Sequence, residues 1–356
     1  MNYKLIFPFL ITYLPILYLI VYSLLPGKIR KFPKVNTFWV VILMICLVYL
    51  IAEYPWELSF DKFHYINQYF RVLRLMGEYE YRDQGWIIYN YILSKIFGIY
   101  VDLFFFVTAF FYVGGYYFFA TRMFNKNEVG YFFVMSVGCL GFTNYGVNVI
   151  RAGFSLSLLL VCLIYPQKKW LQIILAIIAL SIHKSMIIPI AAYIIAKNTK
   201  KMEIALVMWG LCLVLSAMNF DLSSLFESVG FVDERIESYA DSINSEGGDY
   251  KKGFRLDFLI YSIAPILISL YYMFKKGIND KFYTLVLMVY LWANATWLLV
   301  IRMSRSDRMA YLSWFLIPVL TLYPVLKYPN MFKYPLRTAI AIMYIFMGVR
   351  LYMTLT

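Results

Sequence analysis

Charged residues are scarce in this sequence. Asp, Glu, Lys and Arg make up 15% of the 356 residues, whereas hydrophobic residues make up 62%. Soluble domains typically contain about 25% charged and roughly 45–50% apolar residues. This imbalance excludes a soluble enzyme with a single membrane anchor, and it predicts an all-α, polytopic integral membrane protein.

Cysteine and histidine are also rare, with four and two residues. The cysteines all lie inside apolar runs without C-x-x-C spacing, which argues against a disulfide framework or a zinc site. HExxH, GxSxG, paired DxD and Walker-loop motifs are absent, so the sequence gives no support for metal catalysis or nucleotide hydrolysis. We therefore expect chemistry without a metal ion or a cofactor.

The net charge of +13 does not indicate a nucleic-acid partner, because the basic residues lie in short clusters between apolar runs. A membrane helix needs about 20 mostly apolar residues. We predict about twelve spans in one integral membrane domain, 1–356. They are runs 3–25, 35–53, 99–120, 129–145, 149–165, 169–183, 184–197, 202–220, 257–274, 282–301, 308–326 and 335–353.

The orientation follows from the short loops. Seventeen of the 33 basic residues fall in one set of loops, which predicts that these loops face the cytoplasm. Both termini then lie outside, together with two long segments, 54–98 and 221–256, the second of which could act as a lid. Any chemistry is expected on the outer face.

Five basic residues on the predicted outer face oppose this orientation rule, so another interaction should hold them there. They are Arg151, Lys184, Arg302, Arg305 and Arg308. The last three have i, i+3, i+6 spacing, which a helical turn would place on one side. One arginine guanidinium can donate to two phosphate oxygens at once. We therefore predict that these residues form a diphosphate site, in which Arg151 and Arg305 stabilise developing negative charge. The alternative is a basic belt that contacts lipid headgroups.

His183 lies between two short apolar runs, next to Lys184. A neighbouring positive charge disfavours the imidazolium form, so a neutral His183 able to accept a proton is one interpretation. A structural histidine is the other.

The first external segment is rich in aromatic and acidic side chains, which can contact sugars but also form interfacial belts. Its candidate binding residues are Asp61, Tyr65, Glu80, Asp83 and Trp86, and Asn148 is a further candidate beside Arg151. The pattern from Lys62 to Met76 predicts a helix at the membrane interface.

The order of these features resembles the EpsG-like branch of the Wzy-type bacterial polysaccharide polymerases over most of the chain. The elements are Asp61-x-x-x-Tyr65, Glu80 to Trp86, Asn148-x-x-Arg151, His183-x-Ser185, and Arg302 to Arg308 before a span containing Pro318. The family often has Arg and Gly shortly before the first element, where this chain has Glu53-Tyr54-Pro55-Trp56-Glu57.

The resemblance implies a glycosyltransferase of GT-C-like architecture in the bacterial inner membrane. It would join oligosaccharide repeat units carried on undecaprenyl diphosphate at the outer face, among membrane lipid and with a chain-length regulator protein as a further partner. The arginines would stabilise the leaving diphosphate, and His183, Asp61 or Glu80 would take the proton of the acceptor hydroxyl.

Three alternatives stay open at this point. An O-antigen ligase would share these features and differ in its acceptor. A lipid-linked oligosaccharide flippase or transporter would need a polar membrane-depth cavity and internal repeats. A membrane acyltransferase that draws on cytoplasmic donors would need a histidine near that face, and the predicted cytoplasmic loops contain none.

Overall fold

The computed structural model describes residues 6–24, 37–59, 61–75, 83–199, 201–222, 253–303 and 306–355. These ranges contain α-helices with short 3-10 and π turns, and no strand occurs within them. The predicted all-α class is therefore confirmed for this part of the chain.

Sixteen α-helices lie within the described ranges. They are α1 (Ile6–Leu24), α2 (Thr37–Ala52), α3 (Lys62–Leu75), α4 (Gln84–Phe97), α5 (Val101–Met123), α6 (Val129–Gly138), α7 (Phe142–Val147), α8 (Ile150–Cys162), α9 (Lys169–Ile182), α10 (Ile187–Thr199), α11 (Met202–Ala217), α12 (Leu256–Leu270), α13 (Lys281–Leu298), α14 (Asp307–Trp314), α15 (Ile317–Lys327) and α16 (Pro335–Leu355).

Five helical stretches are long and apolar enough to cross a membrane. They are Ile6–Leu24, Val101–Met123, Leu256–Lys275, Asp307–Lys327 and Pro335–Met353. Five further apolar helices, among them α2, α8 and α9, are shorter. The finding supports a membrane protein, whereas the count of twelve spans and the GT-C-like architecture stay predictions.

The segment 54–98 is more structured than we expected. The predicted helix is present as α3, which begins at Lys62 as expected and ends at Leu75, whereas its place at the membrane interface stays a prediction. A second helix, α4, was not predicted, although Asp83 and Gly98 flank it as turn-forming residues. Most of the second long segment, at 223–252, lies outside the described residues.

The prediction of one continuous helix over 129–145 is wrong, because this stretch divides into α6 and α7. Gly141 separates them with a φ of 94°, a left-handed conformation that glycine adopts without a steric penalty. The two short runs at 169–197 are correct as helices, since α9 and α10 are separated by a single 3-10 turn at Lys184–Met186.

The chain divides into two compact units. The first unit comprises Met1–Met186 and Thr321–Thr356, and the second comprises Ile187–Leu320. In the first unit α5 packs against α2 and α8, α9 packs against α8 and α4, and α16 packs against α6 and α1. In the second unit α13 is the central helix, with α10, α11, α12 and α14 against it.

Candidate functional site

A carboxylate, a guanidinium and an imidazole meet in the first unit. The Nη1 of Arg151 donates to Oδ2 of Asp83 at 2.7 Å, and Nδ1 of His183 lies 3.6 Å from the same oxygen. The backbone N–H of Lys184 donates to Oδ1 of Asp83 at 3.2 Å. We call these four residues the Asp83 cluster. Each is a residue that the sequence singled out, but their mutual contact was not predicted.

Three helix ends bring the cluster together. Asp83 precedes α4, Arg151 lies in the first turn of α8, and His183 directly follows α9. Helix α9 packs against both α4 and α8. Gly85 permits the close approach of α4, because a Cβ at this position would lie only 2.7 Å from the Cβ of Ser181. A larger residue at position 85 would therefore push Asp83 away from His183.

Asp83 is buried but remains ionised. Burial by itself would raise the pKa of this carboxyl. His183, the charge of Arg151 and the backbone N–H of Lys184 together outweigh burial, and they hold the pKa of Asp83 below its usual value. The cluster thus contains a carboxylate that stabilises positive charge on both of its side-chain neighbours.

Two predicted sugar contacts, Tyr65 and Trp86, lie beside the cluster. The guanidinium of Arg151 is 5.9 Å from the centroid of the Tyr65 ring, which meets the Trp86 ring edge-on at 5.8 Å. Trp86 donates its Nε1–H to Gln68 at 3.0 Å and is completely buried. Both rings pack inside the protein in this structure, so their contact with a sugar stays a prediction.

Asn148 joins α3 to the start of α8. Its Oδ1 accepts a hydrogen bond from Ser59 at 2.8 Å, and its Nδ2 donates to Asn144 at 2.7 Å. The same Ser59 hydroxyl accepts from the backbone N–H of Lys62, the first residue of α3. Asn148 therefore links the helix that carries Tyr65 to the helix that carries Arg151, and its predicted substrate contact is untested.

Lys62 is a residue that sequence reasoning missed. Its ammonium group donates to the carbonyls of Ala52 and Tyr54 at 2.5 and 2.6 Å, and it lies 4.6 Å from the Phe105 ring centroid. Burial lowers the pKa of Lys62 to about 8, although nearby carboxylates oppose the shift. Lys62 ties α3 to the last turn of α2, and nothing in the sequence distinguishes it from a surface lysine.

The remaining predicted site residues are Arg302, Arg308, Asp61, Arg305 and Glu80, and the last two lie outside the described residues. Arg302, in the second unit, donates to the carbonyl of Ser216 at 3.3 Å and lies 5.2 Å from the Phe254 ring centroid. Arg308 lies in the first turn of α14, and Asp61 directly precedes α3. A common diphosphate site for these arginines stays a prediction.

The described helices include five that can cross a membrane, and a buried acid–imidazole–guanidinium cluster lies in one compact unit. These features indicate a multi-spanning membrane protein with a buried polar cluster. The chain belongs to the EpsG family, whose model matches residues 36–355. Membership links the protein to polysaccharide biosynthesis. No curated protein and no solved structure matches the chain.

Proposed function

We propose that the protein is a glycosyltransferase that polymerises oligosaccharide repeat units carried on undecaprenyl diphosphate, at the outer face of the bacterial inner membrane. The observation that carries this proposal is the Asp83 cluster, which combines a proton acceptor with an anion-binding group in a chain of the EpsG family. By the orientation rule, the loops that hold this cluster are external.

The reaction needs a base and a stabilised leaving group. The acceptor hydroxyl transfers its proton to His183 while its oxygen bonds to the anomeric carbon of the donor sugar. The bond from that carbon to the diphosphate oxygen breaks, and the electron pair stays on the diphosphate. Arg151 stabilises the negative charge that develops there, which is electrostatic catalysis by a preorganised donor.

Arg151 is suited to this role by its surroundings. Its side chain is mostly buried, so its interaction with an anion is screened less than at an exposed site. The bond to Asp83 and the nearby Tyr65 ring hold the guanidinium plane in place before substrate binds. A planar guanidinium can donate to two phosphate oxygens at once, whereas a lysine ammonium is a point charge.

The decisive substitution is Arg151→Lys, assayed as polymer formed by the full chain in liposomes from purified lipid-linked repeat units. Losing the planar donor should cost about 2–4 kcal/mol of transition-state stabilisation, the size of one oxyanion donor. That is a rate loss of roughly 30- to 1,000-fold at unchanged protein abundance.

Arg122→Lys is the matched control, because Arg122 lies in the last turn of α5 with its guanidinium over Phe118 and outside the cluster. Its rate should equal that of the wild type. A near-wild-type rate for Arg151→Lys would contradict the diphosphate role. The same assay separates the other functions, since a ligase yields single transfers without a ladder of lengths, and a flippase moves the lipid without forming a glycosidic bond.

A further inference from the structure

Asp83 occupies an unusual position for a residue that precedes a helix. Its backbone carbonyl accepts from the N–H groups of Trp86 and Ile87 and so begins α4. Aspartate at this position usually also caps the helix with its side chain. Here the carboxylate accepts no bond from α4. It contacts residues of α8 and of the turn after α9 instead.

The two carboxylate oxygens of Asp83 have different partners. Oδ1 accepts a hydrogen bond from the backbone N–H of Lys184. This bond fixes the backbone next to His183, which is extended directly after α9. Oδ2 faces both the Nη1 of Arg151 at 2.7 Å and the Nδ1 of His183 at 3.6 Å. One buried carboxylate therefore holds the backbone of the turn, the imidazole and the guanidinium together.

This arrangement selects one nitrogen of His183 for proton transfer. A carboxylate beside Nδ1 favours the tautomer with hydrogen on Nδ1, which leaves Nε2 as the acceptor. When Nε2 takes a proton, the carboxylate also stabilises the imidazolium ion that forms. The separation of 3.6 Å exceeds a good hydrogen bond, and such contacts often shorten when substrate binds.

We infer that Asp83 is a positioning residue, which orients His183 as the base through Nδ1 and holds Arg151 beside it. The effect of this positioning on catalysis rests on the proposed function. It differs from the sugar contact that the sequence indicated for Asp83. The carboxylate acts through His183 and Arg151 and does not itself contact the substrate.

The first test follows the protonation of the His183 imidazole by NMR, and it does not depend on polymer formation. The chain contains two histidines, His64 and His183, so histidine-labelled full-length protein in detergent gives two sets of NMR signals. In the part of the chain that the structure describes, the charged groups around His183 include Asp83, Arg151 and Lys184. Removing the carboxylate with Asp83→Asn should move the His183 titration to lower pH by about one unit or more, because the imidazolium loses its anion.

Asp257→Asn is the matched control variant, because Asp257 also forms a carboxylate–arginine pair, with Arg255 at 2.6 Å in the second unit. It should leave the His183 titration unchanged. A His183 titration that is the same in Asp83→Asn and wild type would overturn the inference.

The second test uses polymer formation in liposomes. Asp83→Asn should lower the rate by about 10²- to 10⁴-fold, the range from loss of general base catalysis to loss of the correct tautomer. Asp83→Glu keeps the charge and should recover part of this rate. A role in stability alone predicts instead that the Asn variant loses thermal stability and keeps its rate per folded molecule.

The two tests also separate the inference from the proposed function. If the wild type makes no polymer but the Asp83→Asn titration shifts, the proposed reaction is wrong and the positioning of His183 stands. If His183→Ala is inactive while Asp83→Asn has the wild-type rate, the reaction stands and the role of Asp83 is wrong.

Discussion

Charged side chains join separate helices inside the first unit, whereas a network of neutral side chains surrounds Asn294 in the second unit. In the first unit Arg350 and Lys62 donate to backbone carbonyls, and Arg151 donates to the carboxylate of Asp83. In the second unit Asn294 and its neighbours form a network of amide, hydroxyl and indole groups. These two sets of contacts satisfy buried polar atoms in different ways.

Arg350 donates to backbone carbonyls of the first unit that have lost their donor within a helix. Pro15 has no N–H, so the carbonyl of Ile11 lacks its donor within α1. The carbonyl of Val137 loses its donor where α6 ends before the break at Gly141. Arg350, on α16, donates to Val137 at 2.8 Å, to Thr143 at 2.7 Å and to Ile11 at 3.5 Å. One guanidinium therefore serves two interrupted helices.

The network in the second unit satisfies side chains, not interrupted backbone. Asn294, on α13, donates to the hydroxyls of Ser313 and Ser262 at 3.0 and 3.3 Å and accepts from Trp209 at 2.9 Å. Ser262 also accepts from Trp314 at 2.7 Å. Because Ser313 and Ser262 each have a second hydrogen-bond partner, the loss of Asn294 should leave few atoms unsatisfied.

At the helix interruptions marked by Pro15 and Gly141, the first unit uses a charged donor for the released backbone carbonyls. Carbonyls that a break releases cannot bond to water in a buried setting. A charged donor makes a stronger hydrogen bond than a neutral one, but its removal leaves more acceptors without a partner. The first unit should therefore be the more sensitive to single substitutions.

The largest effect is expected for Arg350→Met. The change removes the donor of the Val137 carbonyl and the Thr143 hydroxyl, and each unsatisfied buried group costs about 1–3 kcal/mol. We expect a loss of about 2–5 kcal/mol in unfolding free energy, measured by denaturation in detergent micelles. Arg337→Met is the control, because Arg337 is exposed on the same helix and should change little. Equal stability of the two variants would refute the role of Arg350.

An intermediate effect is expected from the titration of Lys62. Its pKa is lowered from 10.5 to about 8 in the folded protein, so between these values the unfolded chain binds more protons. Stability should therefore rise as pH increases through about 8, by about 2 kcal/mol between about pH 7 and about pH 9.5. Unfolding of wild type and Lys62→Met at both pH values isolates this contribution. The same pH dependence in both proteins would contradict it.

The smallest effect is expected for Asn294→Leu in the second unit. Trp209 loses its acceptor, whereas Ser313 still donates to Ala310 and Ser262 still accepts from Trp314. Side-chain hydrogen bonds between membrane helices contribute about 0.6 kcal/mol on average, up to about 1.7. The same micelle denaturation measures the loss, with Thr296→Val on α13 as the control. A loss as large as that of Arg350→Met would end the contrast between the units.

Sequence reasoning found the members of the Asp83 cluster but not the cluster. The orientation rule singled out Arg151 and Lys184. His183 was a candidate because it is next to Lys184, and Asp83 because it lies in a segment rich in aromatic and acidic residues. Their contacts join residues 68 and 101 positions apart, at three separate helix ends. Hydropathy and spacing report local structure, so neither indicates which helix ends meet.

The sequence also did not indicate that Lys62 and Arg350 are buried. Both are ordinary basic residues near predicted helix ends in the sequence, and both are buried in the structure. The signal that could have found Arg350 is the pair formed by Pro15 and the Gly141 break, each of which releases a carbonyl. That signal identifies the acceptors, but it does not indicate which side chain reaches them.

Composition alone determined that this protein is helical and membrane-embedded, because 62% hydrophobic residues in long runs require backbone hydrogen bonds to be satisfied within each helix. The sequence also determined which side chains are costly to bury. Only the tertiary structure decided that Asp83 faces Arg151 and His183 and that Arg350 serves two interrupted helices. The physical reason is that a buried charge needs a partner at hydrogen-bond distance, and packing brings together residues that are distant in the chain.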